Sequence, residues 1–209
     1  MKTEINLENW ERKEHFEWFK DFNEPFWGIV SEIDCTEAYE QAKELTIPFY
    51  HVYLHKSLKA INHTDGFRLR IENDKVYSYD TIHASVTLNN KDKLYSMSFI
   101  QYNEDLQQFS ENAKEEEERI RKISGLGVNA NTMRNDVIHY SSVPWFKFSG
   151  LTHARNYKFN DSVPKITFGK FEEIEEKKIM SIALNGHHGL IDGYHAGQYL
   201  KLLQQLMHA

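Results

Sequence analysis

The residues best equipped for chemistry stand in one short run, His187-His188-Gly189-Leu190-Ile191-Asp192-Gly193, between an apolar stretch and a helical one. Two adjacent imidazoles and a carboxylate on one loop admit three uses. As metal ligands they need further partners from elsewhere, because neighbouring histidines seldom point at one ion. As loop histidines they need only hydrogen-bond partners for their ring nitrogens. As catalysts, one imidazole of near-neutral pKa takes a proton from a hydroxyl or thiol while that group attacks a carbonyl, then returns it to the leaving group. Asp192, given an arginine partner, would hold the loop that aims the ring. Other nucleophilic routes have less behind them. The sequence has no Gly-x-Ser-x-Gly elbow, and the lone Cys35 falls at the end of a predicted strand, as a small core residue would.

The elements that must position this loop can be read from periodicity. Trp10, His15, Trp18, Phe19 and Phe22 recur at helical spacing and predict an amphipathic helix over residues 9 to 22, with Asn9 as its cap. FWGIVSEID reads as a strand, and Thr36 opens a helix that stops near Pro48. Phe49, Val52, Tyr53, Lys56 and Ala60 mark a second helix before the turn at Thr64 to Gly66. From Phe67 to Met97, alternating β-branched and aromatic residues predict three or four strands. Leu106, Phe109, Ala113 and Ile120 then form a thin apolar stripe on a charged helix, whose run Glu115 to Glu118 is expected to face solvent. VPKITFGKF and KIMSIALNG read as late strands, and Ala196, Leu200, Leu203 and Met207 mark the buried face of a final helix. Strands and helices without strict alternation predict one α+β domain over residues 1 to 209, a two-layer sandwich of a mixed β-sheet with helices packed on one face.

Composition narrows the class. A chain of 209 residues is long enough to bury about 70% of its surface in one core. Thirteen Phe, eleven Tyr and four Trp against ten Gly and four Pro describe a folding chain and not a disordered one. The formal charge of −6 argues against nucleic acid or an anionic membrane as partner. A single cysteine excludes an internal disulfide framework and a cysteine-rich zinc site. The charged N-terminus is unlike a signal peptide, and no run of about 18 apolar residues occurs; the expectation is a cytoplasmic protein.

The pattern HHGLIDGYH near the C-terminus, together with WERKEHFE at Trp10 to Glu17, resembles the trimeric chloramphenicol acetyltransferases. FYHVYLHKSLKAIN, FRLRI, VPWFKF and VPKITFGKF are similar to further family segments in the same order, so the likeness spans nearly the whole chain. HHGLIDG is more distantly similar to the acyltransferase cores of 2-oxo acid dehydrogenase complexes. The resemblance implies an acetyl-CoA-dependent O-acetyltransferase acting on chloramphenicol or a similar small hydroxyl acceptor, with no metal. It implies His188 as the general base, and a structural salt bridge of Asp192 with Arg12. A homotrimer with active sites between subunits is implied as well. Trp18, Phe19, Tyr95, Met97, Phe148 and Thr167 match acceptor-site positions, and Lys170 and Phe171 match the coenzyme's adenosine end.

Departures from the family pattern bear on the same site. A serine that stabilises the oxyanion is replaced by Gly150, six residues after Pro144, which leaves Ser149 and Thr152 as oxyanion candidates. Val86 stands where antibiotic-acetylating members carry threonine, Asn23 and Pro25 replace apolar and cysteine positions, and Trp18-Phe19 replaces a phenylalanine-tyrosine pair. Two alternatives therefore stay open: a different small acceptor on the same fold, or a catalytically degenerate protein that binds coenzyme A or a small molecule.

Overall fold

The computed structural model describes residues 1 to 157 and 161 to 209. Chain order is β1 (Lys2–Glu4), α1 (Lys13–Phe19), β2 (Phe26–Asp34), α2 (Thr36–Glu44), α3 (Phe49–Asn62), β3 (Leu69–Glu72), β4 (Lys75–Tyr79), β5 (His83–Asn89), β6 (Tyr95–Met97), α4 (Leu106–Arg121), β7 (Val137–Val143), β8 (Lys165–Ile174), β9 (Lys177–His187) and α5 (Gly193–Met207). The main sheet runs β2-β9-β8-β7-β5-β6, and a small antiparallel sheet runs β1-β4-β3. β7 is parallel to β5 and β8, whereas β2, β8 and β9 pair antiparallel. The sheet is thus mixed and the fold α+β, as the residue pattern implied.

One face of the main sheet makes the core with the helices. Phe168 and Tyr140 on that face meet Tyr53 of α3 directly or through Phe168. Ser57 of α3 lies between the hydroxyls of Tyr140 and Tyr199, 2.8 Å from each, so one small side chain ties α3 to β7 and α5. A buried hydroxyl without partners costs more than the bond gains, and these three satisfy one another. α3 is buried almost all round and not on one stripe. Its Lys56 carries Nζ to the carbonyls of Leu206 at 2.6 Å and Ala209 at 2.9 Å, a cation at the negative end of α5.

Two expectations need correction. Residues 9 to 22 do not form one helix: a 3-10 turn at Leu7–Asn9 is capped by Asn6, and α1 has only two turns without a side-chain cap. Asn9 therefore caps nothing, and the buried residue of α1 is Phe16 at 1% exposure, while Trp18 is 69% exposed. So short a helix buries one point, and its aromatic stripe is left outward. The run Glu115 to Glu118 is only half solvent-facing. Glu116 pairs with Arg119 and accepts from Phe99 N, and Glu117 meets His51 Nε2 at 2.7 Å, because α4 turns that edge toward α3 and the β6–α4 connection. The strands β3 and β4 pair with β1 in the small sheet, apart from the main one.

Candidate active site

The loop His188–Asp192 connects β9 to α5, and both ends are anchored by backbone chemistry. His188 N donates to Pro25 O at 2.8 Å just before β2, and Leu190 N and Ile191 N return to His187 O. Close packing makes the turn possible: a Cβ on Gly186 would lie 2.1 Å from Ile191 Cδ1, and one on Gly189 would lie 3.2 Å from Phe16 Cα. Asp192 begins α5 as its N-cap, with Oδ1 accepting from Tyr194 N at 3.0 Å and His195 N at 3.4 Å.

The other Asp192 oxygen reaches across 180 residues of chain. Arg12 Nη1 donates to Oδ2 at 2.5 Å, and Arg12 Nη2 donates to His188 O at 3.1 Å. The contact expected between Arg12 and Asp192 is present, and the arginine also grips the histidine's own backbone. His195 Nδ1 lies 2.8 Å from Asp192 Oδ1, a partner that sequence reasoning did not single out although the i,i+3 spacing on a helix start was its signal. Burial alone would raise the Asp192 pKa; hydrogen bonds from His195 and Arg12, and the Arg12 charge, outweigh it and hold the carboxyl well below its usual range. Asp192 is thus a fixed anion and not a proton acceptor at neutral pH.

The His188 ring packs against two aromatic rings. Phe19 stacks on it at 4.5 Å with 25° between planes, and Trp27 lies at 5.4 Å on a tilt. Its Nδ1 is 3.3 Å from Ile191 O, which also receives Trp27 Nε1–H at 2.9 Å. A carbonyl can only accept, so in the neutral ring this contact places the proton on Nδ1 and the lone pair on Nε2. That is the tautomer a base requires. The neighbouring His187 is different: its Nδ1 accepts from Gly189 N at 3.1 Å, and burial, then the nearby Arg155 charge, push its pKa down to about 4. It is a neutral turn residue. Among the described residues no cluster of three or more His, Cys, Asp or Glu could hold a metal ion.

The remaining named residues lie elsewhere in the chain. Thr167 is buried on β8 with Oγ1 unpartnered among the described residues, and Phe148 packs against Gly169. Tyr95 on β6 is 60% exposed and Met97 half-buried. Ser149 and Thr152 are exposed, and a Cβ on Gly150 would meet nothing within 4 Å. Lys170 is exposed, whereas the ring of Phe171 is edge-packed on Tyr39 and Phe49 at 5.2 and 6.1 Å. β6 is four strands from β9 in the sheet, about 19 Å at ~4.8 Å per strand. Tyr95 and His188 of one chain therefore do not share a small-molecule site.

Comparison with known proteins supplies the remaining context. The family model for chloramphenicol acetyltransferase matches residues 1–204. A chloramphenicol acetyltransferase of Bacillus pumilus is 30% identical over 201 residues, covering 96% of this chain and 91% of that protein. One from Staphylococcus aureus is 28% identical over 218 residues, covering 98% and 95%. A solved chloramphenicol acetyltransferase structure superposes with a TM-score of 0.92 at 30% identity, covering 99% of this chain and 100% of the other. The cubic core of a pyruvate dehydrogenase multienzyme complex, at 17% identity and a TM-score of 0.66 over 93% of this chain and 85% of its own, shares the fold.

Proposed function

The chain belongs to the chloramphenicol acetyltransferase family, and on that premise we infer an acyltransferase, carried by one domain over residues 1 to 209, that moves acetyl from acetyl-CoA to a hydroxyl of chloramphenicol. His188 is the general base of this reading. What supports it is the Nδ1 contact with Ile191 O together with the stacking of Phe19, which orient the ring with Nε2 as the acceptor nitrogen of its neutral form. The acceptor hydroxyl gives its proton to Nε2 as its oxygen bonds to the thioester carbonyl carbon. The tetrahedral intermediate then collapses, the carbon–sulfur bond breaks, and Nε2–H protonates the departing thiolate. Both substrates are bound together and no acyl-enzyme forms. Because His188 returns to its starting state, the proton accounting calls for no metal.

Arg12 and Asp192 act as positioning residues: the ion pair ties α1 to the start of α5 and pins the His188 carbonyl. Phe19 shields one face of the base. The separation of Tyr95 and Met97 from His188 supports a homotrimer in which the histidine of one subunit faces the acceptor wall of the next, a wall to which we assign Trp18, Tyr95, Met97, Phe148 and Thr167. Outward Trp145 and Phe146, 72% and 56% exposed, fit such contacts. Lys170 and Phe171 are assigned to the coenzyme's adenosine end. We place the enzyme in the cytoplasm, where acetyl-CoA and an unpaired Cys35 both belong.

The test is thiol release from acetyl-CoA with and without chloramphenicol, for the parent and for His188→Ala. We expect chloramphenicol-dependent release that falls at least 1000-fold in the variant, at the upper part of the range for a lost general base. Full activity in His188→Ala would overturn the assignment.

A further inference from the structure

The sheet face turned away from the helices carries a charged cleft lined by Trp27, which packs on His188, and by the oxyanion candidate Thr152. Strand register puts Gly28, Asn185 and Lys165 abreast on β2, β9 and β8. Gly28 gives Asn185 its room, since a Cβ there would come within 2.0 Å of Asn185 Nδ2. The segment after β7 closes over this row and brings Thr152, His153 and Arg155 to the rim of a cleft of about 180 Å³. Phe26 also lines it, one residue beyond Pro25, whose carbonyl holds His188 N. The cleft thus abuts the strand that clamps the catalytic loop.

Its two cations are not equivalent. Lys165 is already engaged, with Nζ donating to Asp161 Oδ2 at 2.6 Å and Val163 O at 3.2 Å. Arg155 has a side chain only 9% exposed, with its guanidinium 3.3 Å above the Phe26 ring. Neither its Nε nor its Nη1 donates a hydrogen bond to any described residue. Glu24 Oε1 stands 3.4 Å from Nη1 and Asp161 Oδ2 stands 4.0 Å from Nε, too distant or misaligned to bond. Glu24 is 43% exposed, and the Oε1 that faces Arg155 also accepts from Phe26 N. His153 Nε2 is buried in the same cleft without a hydrogen-bond partner among the described residues. Burial, then the charges of Lys165 and Arg155, hold His153 below its ordinary pKa. A buried guanidinium edge that ion-pairs at 3.4 and 4.0 Å without a hydrogen bond recovers only part of the hydration it loses. Its planar fork matches a carboxylate bidentately, and the aromatic floor keeps the pair dry.

Resting on the acetyltransferase reading, we propose that this cleft is an acceptor subsite for a carboxylate, read by Arg155, so that the enzyme takes hydroxyl acceptors bearing an acidic arm as well as neutral ones. Phosphate of the coenzyme is the other anion within reach of the same chemistry, and the test separates the two.

A matched pair of probes keeps the diol constant: the amine base of chloramphenicol acylated with a succinyl group, which ends in a carboxylate, or with a butyryl group, which is neutral. For the parent enzyme the succinyl amide should show a kcat/KM at least tenfold above the butyryl amide. Arg155→Met should remove that preference and Arg155→Lys should restore part of it, with thermal melts confirming folded variants. Equal or inverted preference in the parent overturns the subsite. A rise in the KM for acetyl-CoA in Arg155→Met, with the acceptor preference intact, assigns the guanidinium to the coenzyme and overturns it too. Calorimetric titration of both amides without acetyl-CoA decides the matter independently of turnover. Carboxylate-dependent affinity lost in Arg155→Met upholds the subsite even where no acetyl transfer is seen, a result that would sink only the acetyltransferase reading. Equal affinities in the parent sink the subsite.

Discussion

Replacing Asp192 separates two jobs held by one side chain. Oδ1 caps α5 through Tyr194 N and His195 N, while Oδ2 neutralises Arg12. Asp192→Ala removes both. Loss of the cap costs about 1 kcal/mol. Breaking a fully buried ion pair costs about 3 to 5 kcal/mol, but here the side chains keep 15% and 28% of their exposure, so water recovers part of it and about 2 kcal/mol is the reasonable share. The sum is about 3 kcal/mol, or a melting shift of roughly 6 to 12 °C for a domain of this size. Asp192→Asn keeps an oxygen for the cap and loses only the charge, so it should cost about 2 kcal/mol. The carboxyl is held low in the folded state, so the ion pair's contribution is fully present above the unfolded value near 4 and is lost as pH falls through the still lower folded value. Denaturant unfolding at pH 7 and fixed protein concentration measures both variants, the concentration being fixed because assembly shifts the apparent stability. A loss under 1 kcal/mol for Asp192→Ala, or an Asn variant as damaged as the Ala variant, would refute this division. The same variants should lower kcat more than they raise KM, since the arginine they release also holds the His188 carbonyl.

Other outcomes follow from the same geometry. Gly150 has open space around its Cα, so Gly150→Ser should fold normally and raise kcat about tenfold or more if the position lacks an oxyanion donor; an unchanged kcat would show that Ser149, Thr152 or a backbone amide already supplies one. His187 is neutral in the folded state with its pKa pushed down to about 4, so the unfolded chain binds the proton first as pH falls below 6.5. Stability is intact above that value and declines between 6.5 and 4, and by pH 5 this residue alone should account for about 2 kcal/mol. His187→Asn, whose Oδ1 can replace Nδ1 as acceptor for Gly189 N, should flatten the pH profile by that amount in urea unfolding. Parallel profiles for parent and variant would rule the residue out as the cause. Light scattering should give the mass of three chains, and a one-chain mass would contradict the shared active site.

Much of this protein is written in local pattern. The order of strands and helices, the boundaries of β2, α3 and α5, and the placement of His188 on a tight loop follow from i,i+3 and i,i+2 spacings and from turn residues, which act over a few positions and need no knowledge of the rest of the chain. The two ends that meet in the Arg12–Asp192 pair were legible only because both carry a resemblance; nothing in the spacing of either points at the other. Tertiary structure alone decided which face of a short helix turns inward, so that Phe16 is buried and Trp18 is not, and which glutamates of Glu115 to Glu118 find partners. It also decided that Tyr95 and His188 lie on strands too far apart to share one chain's site, and that Gly28, Asn185, Lys165 and Arg155 converge on one cleft. The physical reason is common to all of these. Periodicity records what each element must bury, whereas contacts between elements depend on strand order and register, which are settled by packing the whole core at once.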